Sequence, residues 1–263
     1  MSVSPVPPRW RLPTGVNGAL WHYTQSARLA AEEDTYFAGH PLFVADRVAL
    51  DARFVVPGKL VDLGCGTGRH SLRFARKGFS VTAVELSQAM LETVGYKAAG
   101  SDVRLVRVRA NLCDLGCFRS GEFDYALSTF STLGMIRGRD ARRRALAEAC
   151  RILVPGGRLA LHAHNVWLNL RTAQGRAWLA GELRQLALLR PEFGDREMTY
   201  RGIPGMKVHL FRWGELRADL RRAGFRIEEV IAIDAVHARP IAMPWCFHGL
   251  RAGGWILFAR KPK

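Results

Sequence analysis

Lysine is nearly missing from this chain: only six of its 39 basic residues are lysine, against 33 arginines. With 23 acidic residues, the formal net charge is +16. Such a balance points toward an anionic partner, nucleic acid or a membrane surface. A coding bias toward arginine produces the same ratio, and the arginines are scattered. Their densest groups, residues 137–144 and 217–226, fall on amphipathic helical segments with ordinary solvated faces. Long apolar runs are also missing. No stretch approaches the ~18–20 residues that cross a bilayer. Residues 1–8 are proline-rich and lack a basic segment leading into an apolar one, so they do not read as a signal peptide, and a cytoplasmic protein is expected. Cysteine is sparse and odd in number, five in 263 residues, which suggests reduced thiols. Cys113 and Cys117 are four apart, but no second Cys or His pair with metal-ligand spacing accompanies them. They read as small buried hydrophobes, and no metal site is expected. Internal repeats and low-complexity tracts are absent as well.

What is present is enough apolar material, 48% of residues, to build a sizeable core. The first 57 residues read as a helical lead-in, with helix-like spacing over 19–37 and 41–54. From Pro57 the pattern alternates. Strands are expected at 59–63, 80–85, 103–110, 123–128 and 158–163. Helices fall between them, at 69–77 (closed by Gly78), after Ser87, and at 140–153 (stopped by Pro155 and Gly156-Gly157). This β-α alternation predicts a parallel sheet with helices on both faces. It breaks at an insertion, about 165–207, with one helix over 176–189 and a loop-like stretch over 191–205. A helix at 213–223 and strands at 225–233 and 255–261 follow, the last two pairing antiparallel. The expected fold is α/β: a seven-stranded, mostly parallel sheet with its last strand antiparallel. It divides into a lead-in or lid (1–57) and a main domain (58–263).

Val61-Asp62-Leu63-Gly64-Cys65-Gly66-Thr67-Gly68 joins the first strand to the first helix of the sheet domain. Alternate glycines let backbone approach a ligand, and the helix presents free N–H groups. Glu85 closes the next strand, where a carboxylate can accept both hydroxyls of a ribose. The dinucleotide fingerprint G-x-G-x-x-G would need glycine where Arg69 stands, and no G-x-x-x-x-G-K-[ST] phosphate loop is present.

Four segments in order resemble the class I S-adenosylmethionine-dependent methyltransferases, a Rossmann-like family. They are Asp62 to Gly68, Glu85-Leu86-Ser87, Leu153-Val154-Pro155-Gly156-Gly157, and Phe211 to Phe225. The resemblance covers about 57–163 and resumes at 212–261. It implies S-adenosyl-L-methionine as cofactor. Gly64, Cys65, Gly66, Thr67 and Gly68 would pass beside its methionine part and Asp62 would orient its ammonium. Glu85 would hold the ribose and Leu86 would pack on adenine. Where the family usually has Asp after the third strand, Ala110-Asn111-Leu112 stands here. Asn111 can accept from the adenine amino group, with Asp114 as substitute. Phe130 would border the methionine moiety, and Tyr23 would close over the cofactor.

For the acceptor side, His162 and His164 lie at the carboxyl end of the fifth strand and share a face. One of them could act as base toward a hydroxyl, or both could simply hold the lid by hydrogen bonds. His209 reads as structural. No Asn/Asp-Pro-Pro-Tyr-type motif follows the fourth strand, and no paired cysteine accompanies Cys246. Both absences argue against two kinds of nucleic-acid methylation. The expected activity is methyl transfer to a small molecule, with oxygen as one option. An RNA or protein acceptor held by the basic surface stays open, as does a cofactor-binding protein without turnover.

Overall fold

The structure, a computed structural model, describes residues 7–101, 103–187 and 193–263. The expected proline-rich start (1–6), residues 188–189 of the expected insertion helix and 191–192 of the expected loop lie outside the described residues.

Seven strands form one sheet: β1 (Lys59–Leu63), β2 (Ser80–Glu85), β3 (Val106–Arg109), β4 (Phe123–Ser128), β5 (Leu153–His164), β8 (Arg226–Ile233) and β9 (Gly254–Arg260). Their order is β3-β2-β1-β4-β5-β9-β8. β1 to β5 pair in parallel, and β9 is antiparallel to both β5 and β8. Leu60, Val61, Asp62 and Leu63 of β1 are all buried because helices cover both faces. The chain winds outward from β1 to β3, then returns to β4 on the other side of β1. The switch point therefore lies between β1 and β4, at their carboxyl ends.

One face is packed by α7 (Arg139–Ile152) and α9 (Trp213–Arg222), through Leu146, Ile152, Leu216 and Leu220. The other carries α4 (Arg69–Arg76) and α3 (Pro41–Asp51). There Leu50 joins Phe54, Leu60, Phe74, Leu127 and Phe258 in a second core. The end of the lead-in is thus part of the core of the sheet domain. The expected 19–37 helix is two, α1 (Gly18–Gln25) and α2 (Ala27–Tyr36). They break at Ser26, whose side chain caps α2 by accepting from the Leu29 N–H. α5 (Gln88–Ala99) starts at the expected cap, Ser87. β5 begins at Leu153, five residues earlier than expected. Leu153 pairs with Phe123, the Gly156 N–H donates to the Lys261 carbonyl and the Lys261 N–H donates to the Gly157 carbonyl, so the Pro-Gly-Gly segment is held beside the end of β9.

The loop-like stretch is a correction. After α6 (Thr132–Met135) and α8 (Ala173–Ala187), residues Asp195–Tyr200 and Ile203–His209 form a hairpin, β6–β7. Its register is fixed by tertiary contacts. Arg201 at the turn donates to the Leu29 carbonyl of α2 and pairs with Glu32 and Glu33, and Met206 is buried. Cys117 also departs from expectation: it is exposed, whereas Cys113 and Cys150 are buried.

His209 ends the hairpin fully buried. Its Nδ1 lies 2.6 Å from Asp195 Oδ1 and its Nε2 2.9 Å from Glu215 Oε1, with Arg142 at 3.8–4.0 Å from both acids. Burial pushes the imidazole pKa down, but the two carboxylates outweigh it and hold the value above the usual one. A raised folded-state pKa gives stability that is complete below the unfolded value near 6.5 and is lost as pH rises through the folded value. His209→Gln should therefore flatten the decline of the thermal midpoint on the alkaline side of pH 6.5. An unchanged pH profile in the variant would remove His209 as its source.

Candidate active site

β1 ends at the switch point and the chain turns through Gly64 to Gly68 before α4. The Gly64 and Cys65 N–H groups both donate to the Val84 carbonyl, at 2.8 and 3.0 Å. Gly64 has φ +78°, and a Cβ there would sit 2.3 Å from Thr132 Cγ2. Only glycine lets β1 and the segment after β4 come this close. Gly66 (φ +54°) has nothing within 4 Å in the Cβ direction: its open side faces a cavity of about 560 Å³.

Glu85, at the tip of β2, reaches back to this turn. Its Oε2 accepts from the Gly66 N–H (3.2 Å) and its Oε1 from the Leu86 and Ser87 N–H groups (2.8 and 3.0 Å). Burial raises its pKa, while these three donors pull the other way. Asp62 is buried, accepts from Ser71 Oγ at 2.6 Å, and is likewise raised by burial.

Most of the residues singled out in the sequence meet on this cavity. Tyr23, Asp62, Gly64, Cys65, Gly66, Thr67, Glu85, Leu86, Asn111, Leu112, Phe130 and His164 all line it. Gly68 does not: its Cα faces Val94 of α5, 2.8 Å from where a Cβ would lie, so it serves helix packing. Nor does His162, which is fully buried beneath, with Nδ1 2.7 Å from Asp46 Oδ1 of α3. Its ring is edge-on to His164 at 5.2 Å, so the two do share a face. Asp46 Oδ2, His162 Nε2 and both ring nitrogens of His70 are buried and find no partner among the described residues. Asn111 is already engaged: Nδ2 donates to the Thr14 carbonyl and Oδ1 accepts from the Cys113 N–H. Asp114 lies off the cavity, its Oδ1 accepting from the Gly116 N–H.

The rest of the cavity comes from segments that carry no motif. Phe130 and Ser131 follow β4 with φ +49° and +60°. Two consecutive non-glycine residues in the left-handed region are strained, a feature that concentrates at functional sites. Phe130 stacks on Phe43 at 4.2 Å and meets Phe37 and His40 edge-on. From the hairpin come Arg196, Met198, Tyr200 and Met206. Asp34 of α2 ties the lead-in to the glycine turn. It accepts from Thr67 Oγ1 (2.9 Å) and Lys97 Nζ (2.6 Å), and Lys97 also donates to the Thr67 carbonyl. Neither Asp34 nor Lys97 stands in a pattern that the sequence flags. A polar residue on an amphipathic helix looks the same whether or not it grips a loop.

Comparison with known proteins agrees with this geometry. The methyltransferase domain family matches residues 60–157. A malonyl-[acyl-carrier protein] O-methyltransferase of Geobacter sulfurreducens is 34% identical over 219 residues, 81% of this chain and 73% of that protein. The chain belongs to the S-adenosylmethionine-dependent methyltransferases. A ubiquinone biosynthesis O-methyltransferase of Xanthomonas oryzae is 31% identical over 194 residues, 72% of this chain and 73% of its own length. The match to the putative methyltransferase YqeM of Bacillus subtilis, 29% identical, spans 46% of that protein. Among solved structures, an S-adenosylmethionine-dependent methyltransferase of Methanosarcina mazei superposes with TM-score 0.63 at 22% identity, covering 78% of this chain and 92% of that one. The CcbJ methyltransferase of Streptomyces caelestis also gives 0.63, at 19% identity, covering 91% and 99%. The enzyme uses S-adenosyl-L-methionine.

Gly64→Ala in this methyltransferase should cost about 1–3 kcal/mol by overpacking against Thr132. Adding Thr132→Ala should recover part of that loss in urea unfolding, leaving the share due to positive φ. A single variant as stable as the wild type would mean that the close approach is not needed.

Proposed function

We propose that the enzyme methylates a small, largely apolar molecule on an acidic oxygen, inside the same cavity that takes the cofactor. The observation that carries this is the cavity's construction. It begins at the open side of Gly66 and beside Glu85, and it is walled by Phe37, Phe43, Phe130, Tyr200 and the methionines of the hairpin. Its volume of about 560 Å³ falls within the roughly 300–1,000 Å³ common for small-ligand pockets. The two relatives that match over most of their length are by name O-methyltransferases, one acting in ubiquinone biosynthesis and one on a carrier-bound malonyl group. A cytoplasmic location goes with this reading. Among the described residues no helix is long and apolar enough to cross a membrane.

The residues suit an adenosyl sulfonium. Among the described residues Glu85 is the only carboxylate that bonds the turn backbone, and the lone pair left on Oε2 beside the bond from Gly66 can accept a ribose hydroxyl. Leu86 and Leu112 give apolar walls for adenine. Asn111 keeps one acceptor lone pair on Oδ1 beyond its bond from Cys113. Asp62 and the Gly64–Thr67 backbone take the amino-acid end, with Phe130 alongside and Tyr23 over the cofactor. Tyr23 is anchored by its hydroxyl to Glu33 (3.4 Å). Lead-in and hairpin together act as the lid.

The cofactor supplies an electrophilic methyl group; the protein supplies alignment and dryness. Burial pushes the His164 pKa down to about 3, so at neutral pH its imidazole is uncharged and too weak a base to take a proton. In this reading His164 orients the acceptor by a hydrogen bond. His162, with no access to the cavity, positions it from below. An acceptor whose oxygen ionises readily needs no base. Arg69, stacked on Phe43 at 3.8 Å, and Arg196 bring cationic side chains to the same wall.

In calorimetry, Glu85→Ala should weaken S-adenosylmethionine binding at least tenfold, against less than threefold for His164→Ala. Equal losses would mean that the ribose lies elsewhere. The acceptor class is tested by incubating enzyme and methyl-labelled cofactor with a cell extract. Label in a small molecule supports the reading; label confined to RNA or protein overturns it.

A further inference from the structure

The loop from 234 to 253, between β8 and β9, has no part in the site above. It exposes two large aromatics two residues apart, Trp245 at 80% and Phe247 at 78%. Met243, Val236 and Leu250 stand at least half exposed beside them. Clustered large apolar groups in solvent mark an interaction surface.

The loop is firmly built. The Arg251 guanidinium donates to the carbonyls of Ala242, Met243 and Cys246 (2.9–3.2 Å). Asp234 accepts from the N–H groups of Val236, His237 and Arg239. Asn165 donates to the carbonyls of Gly249 and Ala252. Ala238, Met243 and Phe247 are held at φ +54°, +49° and +48°. The chain is thus bent, against backbone preference, into a shape that turns its aromatic tips outward.

Apart from Asp234, whose carboxylate is taken up by backbone N–H groups, the charge around the tips has one sign. Residues 165–181 and 235–253 contain no Asp or Glu, while Arg171, Arg176, Arg239 and Arg251 are all exposed. A groove of about 330 Å³ runs between the two segments, lined by Trp167, Leu170, Arg171, Ile241, Leu250 and Arg251. A second copy of the chain is disfavoured as occupant, because a two-fold contact would set these arginines against their own equivalents. An exposed Trp and Phe flanked by arginine, with no acid in the two flanking segments, suit the boundary between headgroups and acyl chains of an anionic bilayer.

We propose that this face docks the enzyme on an anionic lipid bilayer, with Trp245, Phe247 and Met243 entering the headgroup layer and the four arginines meeting lipid phosphates. The face lies on the sheet edge that bears the cavity, since Gly254 pairs with His164. The turn Val166–Arg171 separates the two, with Leu168 on the cavity and Trp167 and Leu170 on the groove. Docking here does not depend on which acceptor the enzyme methylates.

The test is co-sedimentation of the full chain with vesicles of phosphatidylcholine alone, or with about one-third phosphatidylglycerol. The variants are Trp245→Ser/Phe247→Ser, which keeps every charge, and Arg239→Glu, whose side chain makes no bond within the loop. Wild type should pellet with the anionic vesicles and release as salt rises. Both variants should partition roughly tenfold more weakly, with unchanged thermal midpoints and cofactor affinity. Wild type left in the supernatant overturns the proposal. So does a double variant that pellets as well as wild type, because the +16 charge alone would then suffice. A wild-type dimer in light scattering that the double variant dissociates, with no vesicle binding, would assign the face to a second copy instead.

Discussion

The parallel pairing of β1 with β2 sets where everything else in the site must lie. Leu63 stands opposite Val84, so the first residues past β1 meet the last residue of β2. The Val84 carbonyl takes two N–H groups of the turn, and Glu85, one residue on, takes a third. A slip of one residue would carry Glu85 away from the turn and turn its side chain to the other face. Gly64 allows a third strand end to join the same small volume, because the backbone there can touch Thr132. One register thus gathers the loops after β1, β2 and β4 around a common opening.

The parts of this arrangement that were legible in the sequence are those with local causes. The strand-turn-helix after β1 announces itself by apolar run and glycine spacing, and Ser87 announces a helix start. The parallel pairing, with helices on both faces, follows from β-α alternation. The hairpin did not announce itself. Its strands contain Gly205, Pro204 and alternating charge, which read as loop, and they are strands because Arg201 is fixed against the lead-in and Met206 is buried. The lead-in was visible as helix but not as core, since the burial of Leu50 and Phe54 against Phe258 links residues some two hundred positions apart. His162 shows the same limit in reverse. Strand alternation gave its face correctly, yet that face is roofed by α3, and Asp46 occupies its ring nitrogen.

The arginine excess has a structural share that composition alone hides. Arg142 is buried among Asp195, Glu215 and the Ile136 carbonyl. Arg201 is almost wholly buried and joins hairpin to lead-in. Arg53 grips Glu229, and Arg73 and Lys77 share Asp51. A planar guanidinium with five donors serves such sites better than an ammonium. The arginines left over are not evenly placed. Among the described residues, the arginines of the acid-free segments 165–181 and 235–253 have no such internal carboxylate partners, and there the excess faces outward.

The cavity's own titratable groups share one logic. His40, His70 and His164 are all held below the ordinary imidazole value, chiefly by burial, so they bring no positive charge to a pocket that must admit a sulfonium and an ammonium. Asp62 and Glu85 are held above the ordinary carboxylate value, again chiefly by burial. Burial makes both acids costly to ionise, and in the proposed placement the ligand's ammonium beside Asp62 would offset that cost. In that placement cofactor binding and deprotonation of Asp62 would favour each other. The same burial that keeps the histidines neutral thus leaves the two carboxylates reluctant to ionise.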